Sequence, residues 1–190
     1  MNVLKKSAVL YHYPCPDGVF AALAAHLYFS ATSTPALFFP NTVYNPIRAE
    51  KLPLHEIGNL YLLDFIGPPG FLQQISSKVD KVIILDHHKG ALEILKGETI
   101  GENATKVIDM ERSGATIAYS YFRGMLVDGD NKEEQEMTVN QYDRLKRLFE
   151  YIEDADLWRW HLPNSKAFSS GLSDLNIEYS VGLNSSLFDQ

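Results

Sequence analysis

Apolar positions along the chain fall into two kinds of pattern, short unbroken runs and longer stretches with helical spacing. The runs "AVLYHY" (8–13), "ALFFP" (36–40), "NLYLLDF" (59–65), "KVIIL" (81–85) and "KVIDM" (106–110) predict strands, each giving way to polar or turn-forming residues. Between them "GVFAALAAHLYFS" (18–30) predicts an Ala-rich helix, and shorter helices are predicted near 70–78 and 91–96. Because the strand runs stay apolar instead of alternating, they belong to strands covered on both faces. The order strand, helix, strand, helix therefore predicts an α/β fold, a mainly parallel sheet with helices on both faces. From residue 113 the pattern becomes helical, with "SGATIAYSYFRGML" (113–126) and a long helix over about 138–153. The acidic, apolar-poor "VDGDNKEEQE" (127–136) between them lacks the Asp and Gly positions of a calcium-binding loop and is expected to be a solvated surface loop.

Composition narrows the class. With 190 residues, 45% of them hydrophobic, the chain can bury one good core. That core is assigned to residues 1–160, leaving 161–190 as a polar C-terminal tail or the start of a truncated second domain. A net charge of -7 argues against long duplex nucleic acid as a partner. No stretch of 18 or more residues is apolar, so no membrane span is expected, and the start "MNVLKKSAVLYHY" passes straight into strand-like sequence instead of a signal peptide. A cytoplasmic protein is the expectation. The single cysteine, Cys15, forms no internal disulfide, which fits a reducing compartment. Homo-oligomerisation stays open.

Candidate chemistry collects where the predicted strands end. The first is followed by His12, Cys15 and Asp17, the third by Asp64, and the fourth by Asp86, His87 and His88; Asp154 and Asp156 lie near the end of the long helix. A parallel sheet brings such positions to one edge, where open α/β sheets bind their ligands. Carboxylate and imidazole donors suit Mn, with Mg or Co as alternatives, and not an iron–sulfur or structural zinc site. Two such ions can clamp a phosphoryl group and activate water, so phosphoester hydrolysis is the natural reaction. Ser113 opens a helix, where it can cap and where free N–H groups attract an anion. Trp158 and Trp160 are assigned to core packing.

The ordered set "HYPCPDG" (12–18), "LLDF" (62–65), "LDHHKGA" (85–91), "RSGATIAY" (112–119) and "EDADLW" (153–158) resembles the DHH phosphoesterase superfamily. The resemblance covers about residues 8–160. It implies that His12, Asp17, Asp64 and His87 bind metal, that Asp86 bridges two ions at the catalytic centre, and that His88 faces the substrate phosphate. It further implies a fourth carboxylate, Asp154 or Asp156, and substrate contacts from Arg112, Ser113 and Gly114. Many members carry an aspartate where Cys15 stands, and "Cys-Pro-Asp-Gly" is similar to the oligoribonuclease-like branch. Active members usually have a further C-terminal substrate domain, which is expected to be absent here. The expected function is metal-dependent hydrolysis of a small phosphoester or short oligonucleotide. The alternative is a weak or inactive module that binds phosphate ligands or a protein partner.

Overall fold

The computed structural model of the chain describes residues 5–97, 100–128 and 132–188. Five strands, β1 (Lys6–His12), β2 (Ala36–Asn41), β3 (Ile57–Leu63), β4 (Lys81–Asp86) and β5 (Ala104–Ile108), form one sheet in the order β2-β1-β3-β4-β5. Every pairing is parallel, as the unbroken apolar runs require. The helices are α1 (Pro16–Ala31), α2 (Phe71–Ser76), α3 (Lys89–Gly97), α4 (Gly114–Val127), α5 (Lys132–Asp156) and α6 (Ser165–Asp174).

Alternation along each strand feeds two separate cores. Val9, Tyr11, Tyr61, Leu63, Ile83 and Leu85 point to one face, where they pack against α1, α4 and α5. Ala8, Leu10, Leu60, Leu62, Val82 and Ile84 point to the other, under α2, α3 and the segment around Leu52 and Leu54. The edge strand β5 is the exception: its Thr105, Lys106 and Val107 are exposed, and the lysine charge there is of the kind that discourages edge-to-edge pairing.

Two segments differ from expectation. Of the stretch 127–136, expected to be a loop, residues 132–136 belong to the first turns of α5, while 129–131 lie outside the described residues. The Lys, Glu and Gln there are good helix formers, and their intrinsic preference outweighs the lack of apolar periodicity on which the loop expectation rested. The segment beyond 161 contains α6, whose Phe168 and Leu172 lie one turn apart and pack with Tyr179, Val181 and Leu187 against the first core. Among the described residues, no helix is long and apolar enough to cross a membrane.

Candidate metal centre

The chain runs from β1 outward to β2, then returns to β3 on the other side of β1. Neighbouring crossovers diverge at that point and leave a crevice beyond the carboxyl ends of β1 and β3, the position where open α/β sheets hold ligands. His12 is the last residue of β1, Asp64 follows β3, and Asp86 ends β4 with His87 and His88 directly after it. Asp64 sits in the left-handed region (φ 56°), which a short polar side chain tolerates better than most and which turns the chain sharply at the crevice. Asp17 comes from the first turn of α1. Its buried carboxylate accepts hydrogen bonds from Gly114 N (2.7 Å) and Ala115 N (2.9 Å) at the start of α4, so two helix N-termini meet behind the crevice. Only glycine fits at 114, since a Cβ there would lie 2.7 Å from Asp64 Cβ and 2.8 Å from Asp17 Oδ2.

Asp64 is the hub. Its Oδ2 is 3.1 Å from His12 Nδ1, and its Oδ1 is 3.1 Å from His87 Nε2 and 3.5 Å from His88 Nδ1. His87 Nε2 is also 3.6 Å from Asp17 Oδ2 and 3.6 Å from Asp156 Oδ2. Three sets of donor atoms, each within 4.8 Å of one another, result: His12, Cys15 and Asp64; Asp64, His87 and His88; and Asp17, His87 and Asp156. Because Asp64 and His87 each belong to two sets, the three merge into one elongated cluster.

The electrostatics of this cluster is that of carboxylates needing positive charge. The hydrogen bond to Asp64, with Cys15 adding to it, raises His12 to about 10. Burial lowers His87, but the carboxylate of Asp64 and the charges of Asp17 and Asp156 overcome it and raise its pKa. Burial, together with the charges of Asp64 and Asp156, raises Asp17 well above the usual carboxylate range. Burial works to raise Asp64, yet the imidazoles of His12 and His87 hold it below its ordinary value. Asp64 Oδ1, although near two imidazoles, is buried and makes no hydrogen bond. An orphaned carboxylate oxygen amid imidazole and carboxylate donors fits a divalent cation, which would take the place of the protons on His12 and His87.

Other predicted residues take different places. Asp156 joins the cluster and Asp154 does not: the Asp154 carboxylate is buried, accepting from His161 N (2.9 Å) and Leu162 N (3.1 Å), and it pins the turn after α5. Asp86 lies behind the cluster and outside the three sets, its Oδ1 accepting from His87 N (2.7 Å) and His88 N (3.1 Å) and lying 2.8 Å from His88 Nδ1. It orients His88, whose side chain is half exposed. Ser113 is fully buried and caps α4 through Thr116 N. The Arg112 guanidinium is spent on Thr116 O and the Ser120 hydroxyl.

The tryptophans assigned to the core are not in it. Trp158 is 79% exposed and packs edge-on to half-buried Trp160, because both residues adopt φ near 53° in a turn that leads the chain out of α5. Sequence reasoning missed Glu153, which accepts from Ser113 N (3.1 Å), the Thr116 hydroxyl and Arg159 (3.1 Å), and so ties the end of α5 to the start of α4. Its place three residues before Asp156 in "EDAD" was the available signal.

A search against family models returns no match for the chain. The chain is 23% identical over 184 residues to "Uncharacterized protein R106" of Acanthamoeba polyphaga mimivirus; the match takes in 91% of this chain and 38% of that protein. The chain thus spans well under half the length of the curated relative it matches. Among solved structures, an exopolyphosphatase-related protein from Bacteroides fragilis superposes with a TM-score of 0.46 and 11% identity, over 87% of this chain and 55% of the other.

Proposed function

We propose that this chain is a metal-dependent phosphoesterase domain of the DHH type, acting on small or short nucleotide-type phosphoesters with two divalent ions, Mn foremost. The observation that carries the reading is the convergence of His12, Asp17, Asp64, His87 and Asp156 from five separate segments into donor sets of metal-binding size. Its elongated shape supports two ions. His12, Cys15 and Asp64 would hold one; Asp17, His87 and Asp156 would hold the other, with Asp64 shared. In this proposal Asp64 would take the bridging role in place of Asp86, whose carboxylate accepts from the backbone of His88 and lies against its ring. Such ions neutralise phosphoryl charge and lower the pKa of the attacking water.

The protein's own groups do the rest. Asp86 holds the His88 ring by one nitrogen, and His88 lines a cavity with His12, Asp64 and Phe65, where its free nitrogen would donate a hydrogen bond to a phosphoryl oxygen or a proton to a leaving oxygen. The hydrogen bond to Asp86 also raises the pKa of His88 and favours its proton-bearing form. The N-terminus of α4, anchored on Asp17, orients that carboxylate. Assignment to the oligoribonuclease-like branch rests on the Cys-Pro-Asp-Gly motif alone. One observation favours a phosphate-binding module without turnover: Cys15 gives the first donor set a thiol, a poor partner for a hard ion.

Thermal denaturation and turnover of a phosphoester panel, each with and without Mn, provide the test. Saturation at about 100 times the dissociation constant stabilises by about 2.7 kcal/mol, a clear upward shift in Tm. Asp64→Asn should remove both that shift and the turnover. Turnover that survives a chelator, or Asp64→Asn protein that keeps its activity, overturns the proposal; a Mn shift without any turnover favours the binding module.

A further inference from the structure

The cluster opens on its Asp17 and Asp156 side into a cavity of about 540 Å³, within the size range of small-molecule sites. Its far wall comes from α6 and the segment after it. Phe168 and Leu172, one turn apart, face Ile152 of α5, and Ile177 and Tyr179 close the end. Ser169, Ser173 and Asn176 supply the polar atoms between them. Among the described residues, no Lys or Arg lines this cavity, nor the smaller one of about 260 Å³ that adjoins His12 and His88. A chain of phosphates extending from the metals into the α6 cavity would meet the carboxylates of Asp17 and Asp156 and no cationic side chain, inside a protein of net charge -7.

We propose that the α6 cavity binds the uncharged, ring-bearing group esterified to the reacting phosphate, with Phe168 and Leu172 as specificity-determining residues, and that linear polyphosphate is excluded. This rests on the phosphoesterase reading. An apolar wall with scattered hydroxyl and amide groups suits a flat ring with a few polar atoms, and Phe168 offers an aromatic face whose other partner is Tyr151, at 4.9 Å between ring centroids. A nucleoside and a simple aryl alcohol share this chemistry.

Steady-state kinetics of the full chain with Mn would compare a dithymidine dinucleotide, phenyl phosphate, methyl phosphate and tripolyphosphate. We expect kcat/KM for a ring-bearing ester to exceed that for methyl phosphate and tripolyphosphate by about tenfold or more; whichever ring is preferred names the source. Leu172→Trp, which fills the cavity, and Ser173→Trp at its exposed rim should raise KM for ring-bearing esters about tenfold and leave methyl phosphate turnover within about twofold. Preference for tripolyphosphate, or folded variants with unchanged KM for the ring-bearing esters, overturns the proposal. If no ester is hydrolysed, the phosphoesterase reading fails and calorimetry with Mg decides the cavity separately. Thymidine 5′-monophosphate should bind about tenfold tighter than tripolyphosphate and lose that binding in Ser173→Trp; equal binding, or binding that the variant leaves intact, overturns the inference.

Discussion

Gly114→Ala probes the tightest point of the candidate centre with one methyl group. The added Cβ would sit 2.7 Å from Asp64 Cβ, 2.8 Å from Asp17 Oδ2 and 3.0 Å from Asp64 Cγ. All three atoms are buried and belong to carboxylates already anchored, Asp17 by Gly114 N and Ala115 N and Asp64 by His12. Relief must come from moving α4 away from Asp17 or from turning Asp64 out of its place. Overpacking of this kind costs about 1–3 kcal/mol, which in a domain of this size lowers Tm by about 2–12 °C. The helix itself supplies the control, since a Cβ at Gly124 meets nothing within 4 Å. Gly124→Ala should therefore be neutral or stabilise by up to about 1 kcal/mol through helix propensity. Differential scanning fluorimetry of both variants, with and without Mn, separates packing from metal binding. Gly114→Ala should melt lower than Gly124→Ala and show a smaller Mn-induced shift, because the displaced carboxylates are the proposed ligands. Equal melting temperatures together with an intact Mn shift would refute the reasoning.

Two further predictions concern protons and the turn after α5. In chelator, Tm should fall as pH rises from about 6.5 to 9, because Asp17 is raised to about 8 and His87 to about 9 in the folded protein, and groups raised above their unfolded values stabilise below those values and lose that contribution as pH rises through the folded pKa. A metal-free Tm that climbs over this window contradicts the arrangement; with Mn, which needs the deprotonated ligands, the stabilising increment should grow with pH, as paired melts at each pH would show. Asp154→Ala should lower stability by about 1–3 kcal/mol by stranding the N–H groups of His161 and Leu162, yet leave the size of the Mn-induced shift unchanged; loss of that shift would place Asp154 among the ligands.

The strands were legible because their composition and length left no helical alternative, and β1, β3 and β4 begin and end within a few residues of their apolar runs. The sheet order was not legible, and it decides which strand ends meet. Without it, the approach of His12 to Asp64 across 52 residues is not readable from the chain. Asp154 and Asp156 stand two apart on one helix end, and their fates part because one faces the reversing backbone of residues 159–162 and the other the crevice. The local bonds of Asp86 were hidden for a similar reason: adjacency to two histidines suggests shared metal binding, whereas a carboxylate at a strand terminus is also well placed to take up the next two backbone N–H groups, as Asp86 does. Fewer large apolar residues made 161–190 look like a tail, although Phe168 and Leu172 already carried the helical spacing.

The hydrogen bonds that Gly114 N and Ala115 N donate to Asp17 span 97 and 98 residues of sequence, and Asp156 arrives still later in the chain. Closing loops of this length is an entropic expense met only after much of the chain has organised, so the proposed ion-binding cluster belongs to the late events of folding. A cation cannot seed such a cluster from a disordered polypeptide. On the proposed reading, its influence falls on escape from the native state: bound ions would lengthen the lifetime of the folded molecule far more than they would hasten its formation, and resistance to slow inactivation would then track metal supply.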